Sequence, residues 1–155
     1  MPFGKIVVLS MLAAFSGGAG YSYLAGMQPS FSMDAAQPVV FKPYSICAGS
    51  VRVHCLVDGD TLWHEGVKIR IADIDTPEIG DPQCASEAAL GAKATKRMLQ
   101  LVNAGPFQMQ AWPGRDEDKY GRKLRVLVRD GRSLGDILVS EGLARTWTGR
   151  RQPWC

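Results

Sequence analysis

Alternation with a period of two dominates the middle of the chain. Val67, Ile69 and Ile71 fall on one face of a run whose other face carries Lys68 and Arg70, which predicts a strand continuing towards Ile74. Upstream, β-branched residues from Val51 to Val57 predict a strand, Asp58-Gly59-Asp60 a turn, and Thr61 to His64 a second strand closing a hairpin. Glu65-Gly66 turns the chain again. The period then lengthens: Leu90, Ala94, Met98 and Leu101 form an apolar stripe along a helix from Ser86 to Val102, with Ser86 as its cap and Asn103-Ala104-Gly105-Pro106 as its stop. Phe107 to Trp112 and Leu124 to Val128 predict two more strands, and Ser133 to Glu141 a short helix stopped by Gly142. A meander of three strands, a helix and two further strands is a mainly β, α+β chain. It fits a small five-stranded Greek-key barrel with two packed helices better than a parallel α/β sheet.

The N-terminal pattern is different. Lys5 precedes the apolar run Ile6 to Phe15, and the small residues Ser16-Gly17-Gly18-Ala19-Gly20 follow, the order of an export signal with a cleavage site. The uncharged stretch continues to Met27, and at about 1.5 Å per residue, residues 6–27 are also long enough to cross a bilayer of about 30 Å. Residues 1–27 therefore read as a signal peptide or a retained membrane anchor, and either places the rest outside the cytoplasm, secreted, periplasmic or anchored. Leu24-Ala25-Gly26 begins like a lipoprotein site, but Met27 stands where a lipidated cysteine would be required. Residues 28–46 carry Pro29, Pro38 and Pro43 without periodicity and read as a linker, leaving 47–155 as the folded domain.

Composition narrows the choices. A length of 155 residues, 46% hydrophobic and 21% charged, supports one small domain with a core plus an appended segment. A net charge of +3 excludes a protein that coats nucleic acid by charge alone, so any positive region must be local. The four cysteines, Cys47, Cys55, Cys84 and Cys155, include no Cys-x-x-Cys, and the two histidines, His54 and His64, lie on the first two predicted strands, which argues against a zinc site. Export favours two disulfides, in any of three pairings, with one pinning the tail at Cys155.

Three short segments hold the chemistry: Asp58-Gly59-Asp60-Thr61, Arg70-Ile71-Ala72-Asp73-Ile74-Asp75-Thr76-Pro77-Glu78 and Asp118-Lys119-Tyr120-Gly121-Arg122. Phosphodiester hydrolysis requires a hard cation held by carboxylates, a carboxylate to take a proton from water, and guanidinium groups to neutralise the transition state. A pure nucleic-acid binder has no need for Asp60, Asp75 and Glu78, because acids repel phosphate unless a cation sits between them. An EF-hand is excluded: with Asp58 first, Trp63 and Ile69 occupy the positions that require Gly and Glu. Pro77 pushes Thr76 towards an extended conformation, which fixes the direction of its carbonyl.

These segments, with Glu141-Gly142-Leu143-Ala144, resemble the thermonuclease, or staphylococcal nuclease-like, family in order and spacing over roughly Val51 to Trp147. The resemblance implies an OB-fold barrel and calcium-dependent endonucleolytic hydrolysis of DNA and RNA, leaving 3′-phosphate ends. Position by position, it implies that Asp60, Asp75 and the carbonyl of Thr76 hold calcium, that Glu78 is the general base or orients water, and that Arg70 and Arg122 grip the scissile phosphate. Lys119 and Tyr120 match a nucleotide-contacting loop. Two departures stand out: the longer C-terminal helix of the best-known members is missing, and the base-stacking aromatic has no counterpart in register, Trp147 being the nearest. The alternative is an OB-fold nucleic-acid-binding module without catalysis. No protein partner is implied.

Overall fold

The computed structural model describes residues 42–155. The export or anchor segment and most of the linker lie outside the described residues. Tyr44, within the stretch read as linker, is buried in the core, and the first strand, β1 (Ser45–Ile46), runs parallel to β2 (Cys55–Leu56). A meander follows: β2 pairs antiparallel with β3 (Thr61–His64), and β3 with β4 (Val67–Ile71). The β3–β4 turn is Glu65-Gly66, both with positive φ (50° and 80°), the primed geometry that matches the twist of a two-residue hairpin. After β5 (Ile74–Asp75) the chain enters α1 (Ala85–Asn103), then β6 (Gln108–Ala111) and β7 (Lys123–Arg129). β7 pairs antiparallel with β6 and parallel with β4, so α1 serves as the crossover. β8 (Arg132–Ser133), α2 (Leu134–Ser140) and β9 (Arg145–Thr146) complete the domain, with β9 pairing β5 in a separate two-stranded sheet.

The α+β reading and both helices hold. The five-strand barrel does not: the main sheet is open, ordered β1-β2-β3-β4-β7-β6 with β8 beside β7. Closure would need β6 to bond the far edge of β2, and β1 already occupies that edge. The strand expected over 51–57 shrinks to two residues; Val51 and Val53 are exposed, and the chain there is looped back by the Cys47–Cys55 disulfide. The core gathers Leu56, Leu62, Ile69 and Ile71 from the sheet, Ala94, Met98, Leu101 and Val102 from α1, and Leu134 and Leu138 from α2.

Helix boundaries differ in an informative way. Ser86 does not cap α1; Cys84 is the N-cap and makes no side-chain capping bond. Instead Glu87, three residues in, reaches back and accepts the backbone N–H of Gln83 at 2.6 Å and of Glu78 at 3.3 Å, in the manner of the acidic half of a capping box. α2 is capped by Ser133, whose Oγ accepts from the N–H groups of Gly135 and Asp136.

Candidate active site

The β3–β4 register places Thr61 opposite Arg70, which brings Asp60 beside the arginine. Arg70 Nη1 lies 2.6 Å from Asp60 Oδ2, and Nη2 lies 3.7 Å from Asp75 Oδ1. The same guanidinium donates to the carbonyls of Ile71 at 3.1 Å and Ile74 at 3.0 Å, so it is held by backbone as well as by acids. Asp60 Oδ2 also accepts the N–H of Thr76 at 2.9 Å, and Asp60 Oδ1 accepts the hydroxyl of Thr61 at 3.1 Å. Asp60 and Asp75 are each only 3% exposed, and Thr76 is buried beside them. Charged groups this deep are retained only when paired and hydrogen-bonded, which is the condition met here.

Electrostatics follow from that packing. Burial, and secondarily the charge of Asp60, pushes the Asp58 carboxyl up to about 7, with Glu78 adding a smaller upward push. Asp75 is also raised by burial, against the downward pull of Arg151 and Arg70. Asp58, Asp60, Asp75 and Glu78 thus bring negative charge close together, offset by the guanidinium groups of Arg70 and Arg151. A hard divalent cation suits such a set, since calcium takes carboxylate and carbonyl oxygens and tolerates irregular geometry. The set is sparse by itself: among the described residues no group of three or more His, Cys, Asp or Glu side chains is placed to hold a metal ion. Asp60, Asp75 and Thr76 carry oxygen atoms of the kind calcium takes, without forming a cage by themselves.

Arg70, Glu78 and Arg122 line one cleft of about 680 Å³, together with Asp118, Lys119, Tyr120, Trp147 and Arg151. Arg122 is oriented by Asp118: its Nε donates to Asp118 Oδ2 at 2.6 Å, while Asp118 Oδ1 accepts the backbone N–H groups of Arg122 and Tyr120. Burial works upward on Asp118, but these bonds prevail and hold its carboxyl below the usual range. Tyr120 is 71% exposed, with Lys119 Nζ at 4.9 Å and the Arg122 guanidinium at 5.5 Å from its ring centre. Five of the eight residues singled out from sequence, Arg70, Glu78, Lys119, Tyr120 and Arg122, line this cleft, while Asp60 and Asp75 adjoin it through Arg70, and Thr76 through Asp60. Trp147, out of register in sequence, stands 6.0 Å from the Arg70 guanidinium.

Sequence reasoning missed two residues. Arg151 Nε donates to Asp75 Oδ1 at 3.1 Å, and its Nη1 pairs with Glu78 Oε1. Trp154 Nε1 donates to Asp75 Oδ2 at 3.3 Å. Both ride on the tail that the Cys84–Cys155 disulfide fixes, and the expectation of a pinned tail was the only signal that pointed towards them. The second bridge joins Cys47 and Cys55, and no described cysteine is free.

The domain thus combines a mixed sheet with a crossover helix, two buried carboxylates bridged by an arginine, and an adjoining cleft rich in guanidinium groups. The family model described as staphylococcal nuclease homologue matches residues 68–153, more than half of the chain, and the chain belongs to that family. It is 40% identical over 93 residues to endonuclease YncB of Bacillus subtilis, an alignment covering 57% of this chain and 44% of that protein. It is 41% identical over 93 residues to the SPbeta prophage-derived endonuclease YokF of the same organism, covering 57% and 31%. To micrococcal nuclease of Shigella flexneri it is 28% identical over 102 residues, covering 57% and 53%. The matched region spans about half or less of each of these relatives.

Proposed function

We propose that this chain is a calcium-dependent endonuclease that hydrolyses phosphodiester bonds of DNA and RNA and leaves 3′-phosphate ends. The observation that supports it most is the single cleft shared by Arg70, Arg122 and Glu78 over the buried pair Asp60 and Asp75. The relatives, two named as endonucleases and one as a micrococcal nuclease, support the same reaction class. Asp60, Asp75 and the Thr76 carbonyl would hold calcium, which when bound supplies a Lewis acid for a phosphate oxygen. Glu78 orients the attacking water and takes its proton. Arg122, its Nε fixed by Asp118, turns its remaining donors towards the phosphate, and Arg70 adds a second guanidinium from below; the planar fork suits two phosphate oxygens better than a lysine would. Lys119 and Tyr120 meet the adjoining nucleotide by charge and stacking. Export to an oxidising compartment is part of the proposal, supported by the Lys5-led apolar run and by the two disulfides.

The test is degradation of single-stranded DNA and of RNA by the full chain, purified with its disulfides intact, in calcium and then in excess chelator. Glu78→Gln and Arg122→Ala are run beside it. Cleavage is expected to need calcium and Glu78, and removal of Arg122 to cost on the order of 10² to 10³ in rate, as for other preorganised charge donors. Binding without cleavage, across several divalent metals, would establish the non-catalytic binding module instead.

A further inference from the structure

The C-terminal tail delivers a positive charge to the carboxylates that the cation would need. Arg151 engages Asp75 Oδ1 at 3.1 Å and pairs with Glu78, and Trp154 donates to the other Asp75 oxygen at 3.3 Å. Both oxygens of Asp75, a side chain only 4% exposed, are thereby used by one short stretch, Arg151 to Trp154. The tail is built to stay there. Cys155 is bonded to Cys84, the residue that caps α1, and the Arg145 guanidinium lies 3.8 Å over the Trp154 ring while donating to the Pro153 carbonyl at 3.0 Å.

The two arginines that contact Asp75 differ in what else holds them. Arg70 is tied to the carbonyls of Ile71 and Ile74 and is buried, so it remains in place whatever binds. Arg151 has a side chain 46% exposed, and among the described residues its ion pairs are to Asp75 and Glu78 alone. It can leave. We propose that Arg151 is a positioning residue that holds Asp75 and Glu78 in the cation-free protein, and that calcium must displace its guanidinium to load the site. The inference rests on the reading of Asp75 as a calcium ligand. A guanidinium N–H and a divalent cation compete for the same carboxylate lone pairs, and like charges a few ångströms apart oppose each other. Arg151 therefore sets the calcium concentration at which the site fills, and once displaced it stays in the cleft with Arg122, facing the substrate's phosphates.

The experiment is calorimetric titration of calcium chloride into the chelator-treated full chain, comparing the native protein with Arg151→Ala, Arg151→Gln, Arg151→Lys and Lys96→Ala. Lys96 is exposed on α1, is not among the residues lining the cleft, and controls for loss of one positive charge. The expected result is calcium binding about tenfold tighter in Arg151→Ala and Arg151→Gln, as removal of a nearby competing charge requires, with Arg151→Lys between them and the native protein and Lys96→Ala unchanged. Two Arg151 variants guard against a folding defect in one. Equal or weaker calcium affinity in both neutral variants, with the native protein binding calcium, would overturn the inference alone. No calcium binding by any form would overturn the calcium reading beneath it.

Discussion

Asp58 shows how far one residue's behaviour can depart from its sequence context. In sequence it is a turn acid; in the fold, burial first and the neighbouring charge of Asp60 next push its carboxyl up to about 7 from an ordinary 3.8. The folded protein thus binds a proton at Asp58 more tightly than the unfolded chain does. Stability from that proton is fully present below pH 3.8 and is lost as pH rises through about 7. In chelator, the native protein's unfolding free energy should therefore fall between pH 5 and 8, with Asp58 contributing up to about 1.4 kcal/mol per pH unit below its own pKa. His64 works the other way: burial lowers its pKa, so its contribution is lost as pH falls through the imidazole range. That contribution is common to the native protein and Asp58→Asn, and the difference between their pH slopes in urea titrations isolates Asp58. Parallel slopes would mean that Asp58 is an ordinary solvated acid. The turn signal Asp-Gly-Asp identifies the position of this acid but not its titration, because burial and the approach of Glu78 are tertiary facts.

At the scale of elements, the placement of Glu78 depends on α1. A Cβ at Gly91 would lie 2.7 Å from the Pro77 carbonyl oxygen and 3.0 Å from that of Glu78, so the helix and this segment touch through a bare backbone. Both partners are main-chain atoms and cannot yield as a flexible side chain would. Gly91→Ala would gain up to about 1 kcal/mol in helix propensity, but overpacking against backbone costs about 1–3 kcal/mol and moves Glu78. The expected outcome is a lower melting temperature together with reduced DNA cleavage, and a variant that melts higher would refute this account of the contact. The helical stripe that carries Gly91 is legible in the sequence, since Ala94, Met98 and Leu101 keep helical spacing and all three are buried. The short strands are not. β1, β2, β5, β8 and β9 are two residues long, too short to leave a period, although Asp130-Gly131, with φ of 50° and 75°, is a hairpin signal that announces the β7–β8 turn.

Across the whole molecule, the site divides by how its residues are brought together. Asp60, Arg70, Asp75 and Thr76 come from two adjacent strands and the segment that follows them, so local motifs are enough to find them. Arg151 and Trp154 reach Asp75 from 76 and 79 residues away, and only the pairing of cysteines, which spacing alone leaves threefold open, decides that they arrive. The two bridges should consequently differ in weight. Cys84–Cys155 closes 71 residues and Cys47–Cys55 closes 8, and the chain-entropy argument assigns them about 4 and about 2.5 kcal/mol. The long bridge also keeps Arg151 and Trp154 on Asp75, whereas the short one fixes only the turn between β1 and β2. In urea unfolding, Cys84→Ser with Cys155→Ser should lose more stability than Cys47→Ser with Cys55→Ser. The order should persist in chelator, where the inferred displacement of Arg151 by calcium cannot occur. The reverse order would mean that β1, held against β2, stabilises the fold more than the tail does.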